Sequence, residues 1–256
     1  MGSLLGPISG VHIGAILLLT LSGMVLISLL LLRGRRGLHP AIRPLPAFQD
    51  LRDEAGRVAE SGGTIHIALG NGGLNGGDAV TSLAGLQVVE ALADTVVSYG
   101  VPPVITVGDP TLLPLAQDVL RRAYERCGLT EWYDPGRVCF IAPSPVAYAV
   151  GAANVAAADA VTTNVIAGVF GAEVSLITDA GARRDLPQLA AVAAPCAVGA
   201  LYPATDRLAV GEELYAAGAH TTGEWRYLAS LVAQDVLRVI LVLLILGTAV
   251  LALIGG

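Results

Sequence analysis

The sequence predicts an α/β fold: a doubly wound, mostly parallel, Rossmann-like sheet inserted between two transmembrane helices. First, short apolar runs alternate along the chain with helix-like segments, the order typical of a parallel sheet with crossover helices. Second, these runs are apolar along their length, as expected where helices cover both faces of a sheet. Third, 54% of the 256 residues are apolar and the mean hydropathy is +0.67, which is high for a soluble domain.

The first predicted transmembrane helix covers residues 13–32, a stretch without a charged side chain. At about 1.5 Å per residue, such a helix crosses a hydrocarbon core of about 30 Å. A secretory signal peptide carries positive charge before its apolar core, whereas here the charged run RGRRG follows the core. We therefore interpret residues 1–37 as a retained membrane anchor with a basic flank.

Residues 38–222 are predicted to form one α/β domain, which is long enough for a single core. The predicted strands are short apolar or β-branched runs at 64–69, 103–108, 138–142, 163–170, 186–193 and 206–211. The predicted helices have helical spacing or capping residues and cover 48–61, 78–100, 110–128, 145–159, 171–184, 195–202 and 212–219. Strands and helices thus alternate throughout the domain.

The helix predicted at 110–128 has the most complete boundary signals. Asp109 stands at the N-cap, Pro110 at the first helical position and Gly128 just past the end, while Pro114 still falls in the first turn. Dinucleotide-binding folds place an acid after this strand to hold ribose hydroxyls, about 20 residues beyond the glycine loop. Asp109 lies 37 residues beyond Gly72, so we favour the capping role.

A second, shorter transmembrane helix is predicted at 239–254, and residues 224–239 show helical periodicity without glycine or proline. We expect residues 223–256 to form one helix that continues from the domain into the membrane. Arginines follow the first apolar stretch and precede the second, and the outer ends carry none. By the positive-inside rule, both termini lie outside and the domain lies in the cytoplasm, at the inner face of the cytoplasmic membrane.

The glycine-rich loop GNGGLNGG at 70–77 is the first candidate ligand site. A dinucleotide-binding loop needs Gly-x-Gly-x-x-Gly between a strand and a helix, and here Gly70 and Gly72 are followed by Asn75 in place of the third glycine. A Walker A loop is ruled out because Gly-Lys-Ser/Thr is missing. Asp78 would cap the next helix and occupy the place of an anion. We favour a structural turn over a phosphate cradle, and both interpretations stay open.

Polar side chains follow the predicted strands, and the carboxyl ends of parallel strands form the usual ligand crevice. The set comprises Asn71, Asn75, Asp109, Thr111, Ser144, Gly168, Glu173, Glu212 and Glu213. Its acids could hold a metal or nucleoside hydroxyls, or each residue could simply cap its own helix. The candidate ligand-binding residues are Gly70, Asn71, Gly72, Gly73, Asn75, Asp109, Thr111 and Ser144.

The remaining side-chain chemistry leads to no catalytic residue or metal ligand, and the cofactor stays unknown. Every basic residue is arginine, which removes lysine-based chemistry, and Ser144 lies in PSP instead of a Gly-x-Ser-x-Gly elbow. His66 lies within a predicted strand and is interpreted as a satisfied core residue. The three cysteines are interpreted as reduced, buried thiols, because the spacing of Cys127, Cys139 and Cys196 fits neither disulfides nor zinc.

Five segments between the two apolar stretches resemble a known family. They are RPLPAFQDLRDEAGRVAE, GDPTLLPLAQDVLRRAYERCG, APSPVAYAVGA, GEELYAAGA and LASLVAQDVLR, in this order. They are similar to an uncharacterised family of bacterial membrane proteins, catalogued as a domain of unknown function. The resemblance covers nearly the whole chain and implies the two-span layout. It implies no activity, cofactor or catalytic residue.

Charge and small residues indicate the partners. All 21 Asp and Glu residues lie between 50 and 235, and an acidic surface repels nucleic acid. Glycine, serine and alanine within the apolar stretches allow close helix packing in the bilayer, within one chain or between copies. We predict a non-catalytic, membrane-anchored protein that forms a homo-oligomer. The alternative is a sensor or enzyme that binds a nucleotide or nucleoside at the strand-end crevice.

Overall fold

The structure is a computed structural model that describes residues 51–216 continuously, apart from the side chains of 51 and 52, and residues 14, 18, 20–25, 231–242, 245 and 246. The chain divides into two compact units, residues 43–222 and residues 1–42 together with 223–256. In the second unit, the described residues are helical. The remaining residues of the predicted spans 13–32 and 239–254, and residues 224–230 of the predicted continuous helix, lie outside the described residues.

The α/β unit contains six helices and six strands within residues 51–216. The helices are α1 (Leu51–Ser61), α2 (Ala79–Ser98), α3 (Leu113–Arg126), α4 (Pro145–Ala156), α5 (Val174–Ala182) and α6 (Pro195–Leu201). The strands are β1 (Thr64–Gly70), β2 (Val104–Val107), β3 (Val138–Phe140), β4 (Val161–Val169), β5 (Gln188–Val192) and β6 (Arg207–Val210). Three 3-10 helices cover Thr130–Trp132, Pro135–Arg137 and Gly211–Ala216.

The six strands form one sheet in the order β3-β2-β1-β4-β5-β6, and every neighbouring pair is parallel. The sheet confirms the predicted α/β, Rossmann-like fold and is entirely, not mostly, parallel. Helices α1, α2 and α3 pack side by side, and so do α4, α5 and α6. Because parallel crossovers share one hand, the two sets cover opposite faces of the sheet.

Successive side chains of β1 point to opposite faces of the sheet, so β1 contributes to the core on both sides. Ile65, Ile67 and Leu69 are fully buried and point to the α1–α3 side, since residues two apart share a face. His66 and Ala68 point to the α4–α6 side, where a buried cluster contains Ala68 together with Tyr148 of α4. Every residue of β1 is buried, which explains why its sequence shows no polar-apolar alternation.

Among the described residues, α2 is the helix that is long and apolar enough to cross a membrane. Its most apolar window is 56% buried within the fold, so α2 serves as the core helix of the α/β unit. Gly85 lets α2 approach the sheet closely, because a Cβ there would lie 2.6 Å from the carbonyl oxygen of Ala167 in β4. The apolarity of this helix therefore comes from packing against the sheet.

Three predicted details are wrong. Helix α3 begins at Leu113 instead of 110, because Asp109 Oδ1 accepts the backbone N–H of Thr111 at 2.8 Å and closes a turn ahead of the helix. Gly168, counted above among the strand-end residues, lies inside β4, within the strand predicted at 163–170, at an irregular register beside β1. Residues Gly211–Ala216 form a 3-10 helix, and residues 217–219 of that predicted helix lie outside the described residues.

Candidate functional site

The strand order places a topological switch point between β1 and β4, where successive crossovers leave in opposite directions. In open parallel sheets, ligands bind outside the carboxyl ends of the strands at this point. The glycine-rich loop 70–77 follows β1 and therefore lies at the switch point. Sequence and topology thus bring the first candidate loop to the usual ligand position of this fold.

At that position, the glycine-rich loop packs against β4 and against Asp109. Gly70 has a φ of +76°, a left-handed conformation that favours glycine. A Cβ on Gly72 would collide with the side chain of Val169 and with Ser82 Oγ. A Cβ on Gly73 would lie 2.6 Å from Asp109 Oδ2. Gly70, Gly72 and Gly73 are therefore required for the turn and for its packing against β4 and Asp109.

Asp109 and Thr111 hold the loop from the side of β2. Thr111 donates its hydroxyl and its backbone N–H to Asp109 Oδ1, and the Thr111 hydroxyl accepts the backbone N–H of Leu74 at 3.0 Å. Asp109 is thus bonded to residues of its own turn, and through Thr111 it fixes the middle of the glycine loop. These contacts explain both residues without a ligand.

Asn71 connects the same loop to the segment after β3. Its Nδ2 donates to the carbonyl oxygen of Pro143 at 3.1 Å and faces that of Ala142 at 3.4 Å. Ser144 follows directly, at the N-cap of α4, is exposed, and makes no side-chain capping bond. Asn75 is exposed at the tip of the loop. Two buried oxygens here, Asn71 Oδ1 and Ser82 Oγ, have no hydrogen-bond partner among the described residues.

The carboxyl edge of the sheet is acidic. The described segments that follow the strands contain Asp78, Asp109, Glu173, Glu212 and Glu213, and no arginine. Asp78 stands at the N-cap of α2 without the side-chain capping bond that we predicted, because its backbone is already helical (φ −86°, ψ −10°). Carboxylates repel phosphate groups. The edge therefore opposes the binding of a nucleotide through its phosphates.

Residues 10–256 match the family model described as Domain of unknown function (DUF6754). The chain belongs to this family. The match confirms the resemblance to a family of unknown function that the sequence segments showed. No curated protein and no solved structure matches the chain.

In this DUF6754 protein, a row of hydrogen-bonded polar side chains lies buried in the sheet beneath the glycine-rich loop. We call this row the polar chain. The direction of its hydrogen bonds can be assigned from Gln188 in β5. Gln188 Nε2 lies 3.0 Å from the carbonyl oxygen of Thr178 and 2.9 Å from that of Ala204. Carbonyl oxygens only accept hydrogen bonds, so the amide nitrogen must face them. Gln188 Oε1 then accepts a hydrogen bond from Asn164 Nδ2 at 3.1 Å.

The same reasoning assigns the tautomer of His66 in β1. With its Nδ2 facing Gln188, Asn164 presents Oδ1 to His66 Nδ1 at 2.9 Å, so Nδ1 carries the proton. His66 Nε2 is therefore the acceptor, and the hydroxyl of Thr106 in β2 donates to it at 3.0 Å. Burial lowers the pKa of His66 to about 4, although the bond to Asn164 acts in the opposite direction. His66 is neutral at neutral pH, as a satisfied core residue.

The polar chain ends at Gly70, the first residue of the glycine-rich loop. The hydroxyl of Tyr148 in α4 lies 3.0 Å from Thr106 Oγ1 and accepts the backbone N–H of Gly70 at 3.1 Å. Burial raises the pKa of Tyr148 to about 12, so the phenol stays protonated. The Tyr148 hydroxyl also donates to the backbone carbonyl oxygen of Thr106 at 3.1 Å. From Thr106 to Gln188 the donors point the same way, and such an alignment strengthens each bond through polarisation of its neighbours.

Sequence reasoning found His66 and missed the other members of the polar chain. A signal was available, because β1, β2, β4 and β5 each carry a hydrogen-bonding residue in a largely apolar run: His66, Thr106, Asn164 and Gln188. The register pairs His66 with Asn164 and Asn164 with Gln188 across the sheet. The strand order, which the sequence did not specify, makes these residues neighbours.

Two further expectations concern thiols and metals. Cys127, Cys139 and Cys196 are free, but Cys127 and Cys139 are half-buried and Cys196 is exposed, so the expectation of buried thiols is wrong. Cys196 is the second residue of α6 and faces outward. Within the described residues, His, Cys, Asp and Glu side chains form no group of three or more that could hold a metal ion.

The two helix layers differ on their outer surfaces. Helices α1 and α3 each contain five charged residues, and Arg121, Arg122 and Arg126 make ion pairs with acids of α2 and α3. We call the outer surface of α1–α3 the ion-paired face. In α4, α5 and α6 the single charged residue is Asp179. We call their outer surface the uncharged face, and it exposes Val146, Val150 and Leu176.

Proposed function

We propose that this chain is a membrane-anchored, non-catalytic α/β protein that self-associates through the uncharged face into a homo-oligomer at the inner face of the cytoplasmic membrane. The observation that carries the proposal is the combination of exposed valines and missing charge on α4. Val146 and Val150 lie one turn apart on this helix and are exposed. A helix that stays in water normally carries charged or polar residues on its outer face.

The composition of the uncharged face matches the centre of a protein interface. Interface cores are depleted in charged residues and retain apolar side chains, and residues 141–158 and 186–205 contain no charged residue at all. The exposed thiol of Cys196 and the exposed Leu176 extend the same surface across α5 and α6. Its burial against another surface would remove apolar area from water without desolvating a charge.

A second copy of the chain is the partner that the charges favour. The chain has a formal net charge of −6, so two copies repel each other least where charged side chains are absent. Nucleic acid and anionic lipid headgroups need exposed arginines. On this side of the sheet, Arg183 pairs with Asp179, and Arg184 is turned toward backbone carbonyls.

Membrane anchoring is supported by the two apolar stretches, 13–32 and 239–254, and by the arginines at their inner ends. In the described part of the second stretch, Val239, Val242 and Leu246 are exposed helical residues. Apolar side chains exposed along a helix are compatible with a lipid environment. The distribution of arginines favours a cytoplasmic α/β unit with both termini outside.

The test measures the mass of the full chain in mild detergent as a function of protein concentration. Val150→Arg places a charge on α4 of the uncharged face, and Val80→Arg places the same charge on α2, where Val80 is likewise exposed (64% against 49%). We expect Val150→Arg to weaken self-association at least about tenfold, or about 1.4 kcal/mol. Val80→Arg should leave the association constant unchanged.

Thiol labelling gives an independent measurement on the unmodified chain. Cys196 is exposed on the uncharged face, so its reaction with a maleimide should slow as protein concentration rises, whereas that of Cys139 should not change. A strictly monomeric particle at high concentration would exclude the homo-oligomer. Equal association of the two arginine variants would show that the interface lies elsewhere on the chain.

A second candidate function is nucleoside binding at the switch point. It is favoured by the two buried oxygens without partners, Asn71 Oδ1 and Ser82 Oγ, because buried polar atoms normally make hydrogen bonds. A nucleoside fits the acidic edge better than a nucleotide, since carboxylates accept ribose hydroxyls and repel phosphate. Adenosine should then raise the melting temperature more than AMP does. Equal melting curves with and without millimolar adenosine would eliminate this candidate.

A further inference from the structure

A groove of about 530 Å³ opens at the amino edge of the sheet, on the side opposite the glycine loop. It lies between the end of α2 and the segment that leads into β3, and its apolar walls come from Val97, Pro102, Leu129 and Trp132. The volume is within the range of small-molecule sites. Trp132 is 76% exposed at its rim, although an indole side chain gains much from burial.

A tyrosine hydroxyl in this groove has no partner. Tyr124 of α3 is only 5% exposed, with its ring edge-on to that of Tyr133 at 6.0 Å. Within the described part of the chain, no residue accepts from or donates to its hydroxyl, which faces the solvent of the groove. Burial raises the pKa of Tyr124, and the charge of Arg137 acts in the opposite direction. The hydroxyl is therefore a protonated donor near a cation.

Arg137 supplies the charge of the groove. The guanidinium groups of Arg57, Arg121, Arg122, Arg126, Arg183 and Arg184 all interact with neighbouring groups. In the described structure, that of Arg137 makes neither an ion pair nor a hydrogen bond. Asp134 also lines the groove, but its Oδ1 accepts the backbone N–H of Gly136 at 2.8 Å. An anionic ligand would give Arg137 its missing partner.

We propose that this groove binds a small organic monocarboxylate with an aromatic or aliphatic body. The carboxylate pairs with Arg137 and accepts the Tyr124 hydroxyl hydrogen, and charge-assisted bonds of this kind are strong. The apolar body lies along Val97, Pro102 and Leu129 and covers Trp132. The proposal is independent of self-association, because the groove lies at the amino edge of the sheet beside α2 and α3.

The test uses the fluorescence of Trp132 in the full chain. The chain has two tryptophans, so Trp225→Phe makes Trp132 the single reporter. We expect 4-phenylbutanoate to change its emission saturably and 4-phenylbutanamide, which has the same body without the charge, to bind at least about tenfold more weakly. The absence of saturation up to about 10 mM carboxylate, or equal binding of acid and amide, would overturn the proposal.

Two variants test separately the contacts that Arg137 and Tyr124 make with the carboxylate. Arg137→Met keeps the apolar stem and should weaken carboxylate binding at least about tenfold, and Tyr124→Phe should weaken it several-fold. Arg137→Met should leave binding of the uncharged amide unchanged, whereas Tyr124→Phe should weaken acid and amide alike, because the amide carbonyl also accepts a hydrogen bond. The control is Arg183→Met, which removes an exposed arginine paired with Asp179 outside the groove and should bind like the parent. Undiminished carboxylate binding by Arg137→Met would refute the site. If that variant fails to fold, the acid-amide comparison on the parent still decides.

Discussion

The two sides of the sheet distribute polarity in opposite ways. On the α1–α3 side, most ion pairs lie in water, and the interior is apolar apart from the buried Glu54–Thr163 hydrogen bond and Ser82. On the α4–α6 side, the polar chain from Tyr148 to Gln188 is buried, and the valines of α4 are exposed. Exposed apolar residues occur on both sides, with Val80 and Leu83 on α2, so the two outer surfaces differ in their charged residues.

The difference predicts which interactions determine the stability of the fold. Exposed ion pairs contribute little to stability, because water screens them and ordering the side chains costs entropy. A buried and fully bonded polar chain has large consequences, since the loss of one member leaves its neighbours buried without partners. We therefore expect stability to depend on the interior of the α4–α6 side, and association to depend on its exterior.

The largest effect is expected from Asn164→Leu, which preserves side-chain size and removes both hydrogen bonds at the centre of the polar chain. It leaves His66 Nδ1–H and Gln188 Oε1 buried without partners, at a cost of about 4 kcal/mol in the free energy of unfolding. Denaturant unfolding of the full chain in detergent measures this cost.

The matched control on the ion-paired face is Arg122→Ala. It removes an exposed contact to Asp118, which keeps its bond to Arg121 at 2.6 Å. We expect a loss below about 0.5 kcal/mol. Comparable losses for the two variants would refute the contrast between the faces.

The second effect is a loss of stability in mild acid. The pKa of His66 is about 4 in the folded protein and 6.5 as the reference value, so between these values the unfolded chain binds more protons. Stability from this group is complete above pH 6.5 and falls by about 3 kcal/mol as the pH approaches 4. His66→Gln retains one donor and one acceptor without titrating, so its pH profile should be flatter than that of the parent.

The ion-paired face responds in a different pH window. Hydrogen bonds from Arg121 and then Arg122 lower the pKa of Asp118 below its reference value of 3.8, so stability from this carboxylate is lost only as the pH falls further. Unfolding profiles of parent and His66→Gln between pH 7 and 4 therefore isolate the polar chain. Parallel profiles would show that His66 does not titrate as described.

The smallest predicted effect is a difference in stability loss between substitutions of Arg183 and Arg184, two adjacent arginines that follow α5. Arg184 donates to the carbonyl oxygens of Ala158 and Val161 at 2.6 and 3.1 Å, and so ties the end of α4 to the start of β4. Arg184→Met should cost about 2 kcal/mol in thermal or denaturant unfolding. Arg183→Met removes an exposed pair and should cost under about 0.5 kcal/mol. Equal costs would mean that the bonds of Arg184 are replaced by water.

Local sequence signals predicted most of the secondary structure and part of the candidate site. Short apolar runs marked all six strands, and Pro145 and Pro195 opened helices where expected. Asp109 carried a genuine capping signal, but its side chain closes a turn instead of beginning α3. Capping preferences specify the residue type at a chain reversal, whereas the packing of the following residues decides where helical hydrogen bonding starts.

The sequence by itself determined the α/β class, the acidic domain, the apolar flanks and the positions of the elements, because these depend on composition and on neighbours within a few residues. Only the tertiary structure decided that loop 70–77 packs on Val169, that His66 lies beside Asn164, and that α4 exposes its valines. These features join residues far apart along the chain. Their proximity is a property of strand order and register, which no local pattern encodes.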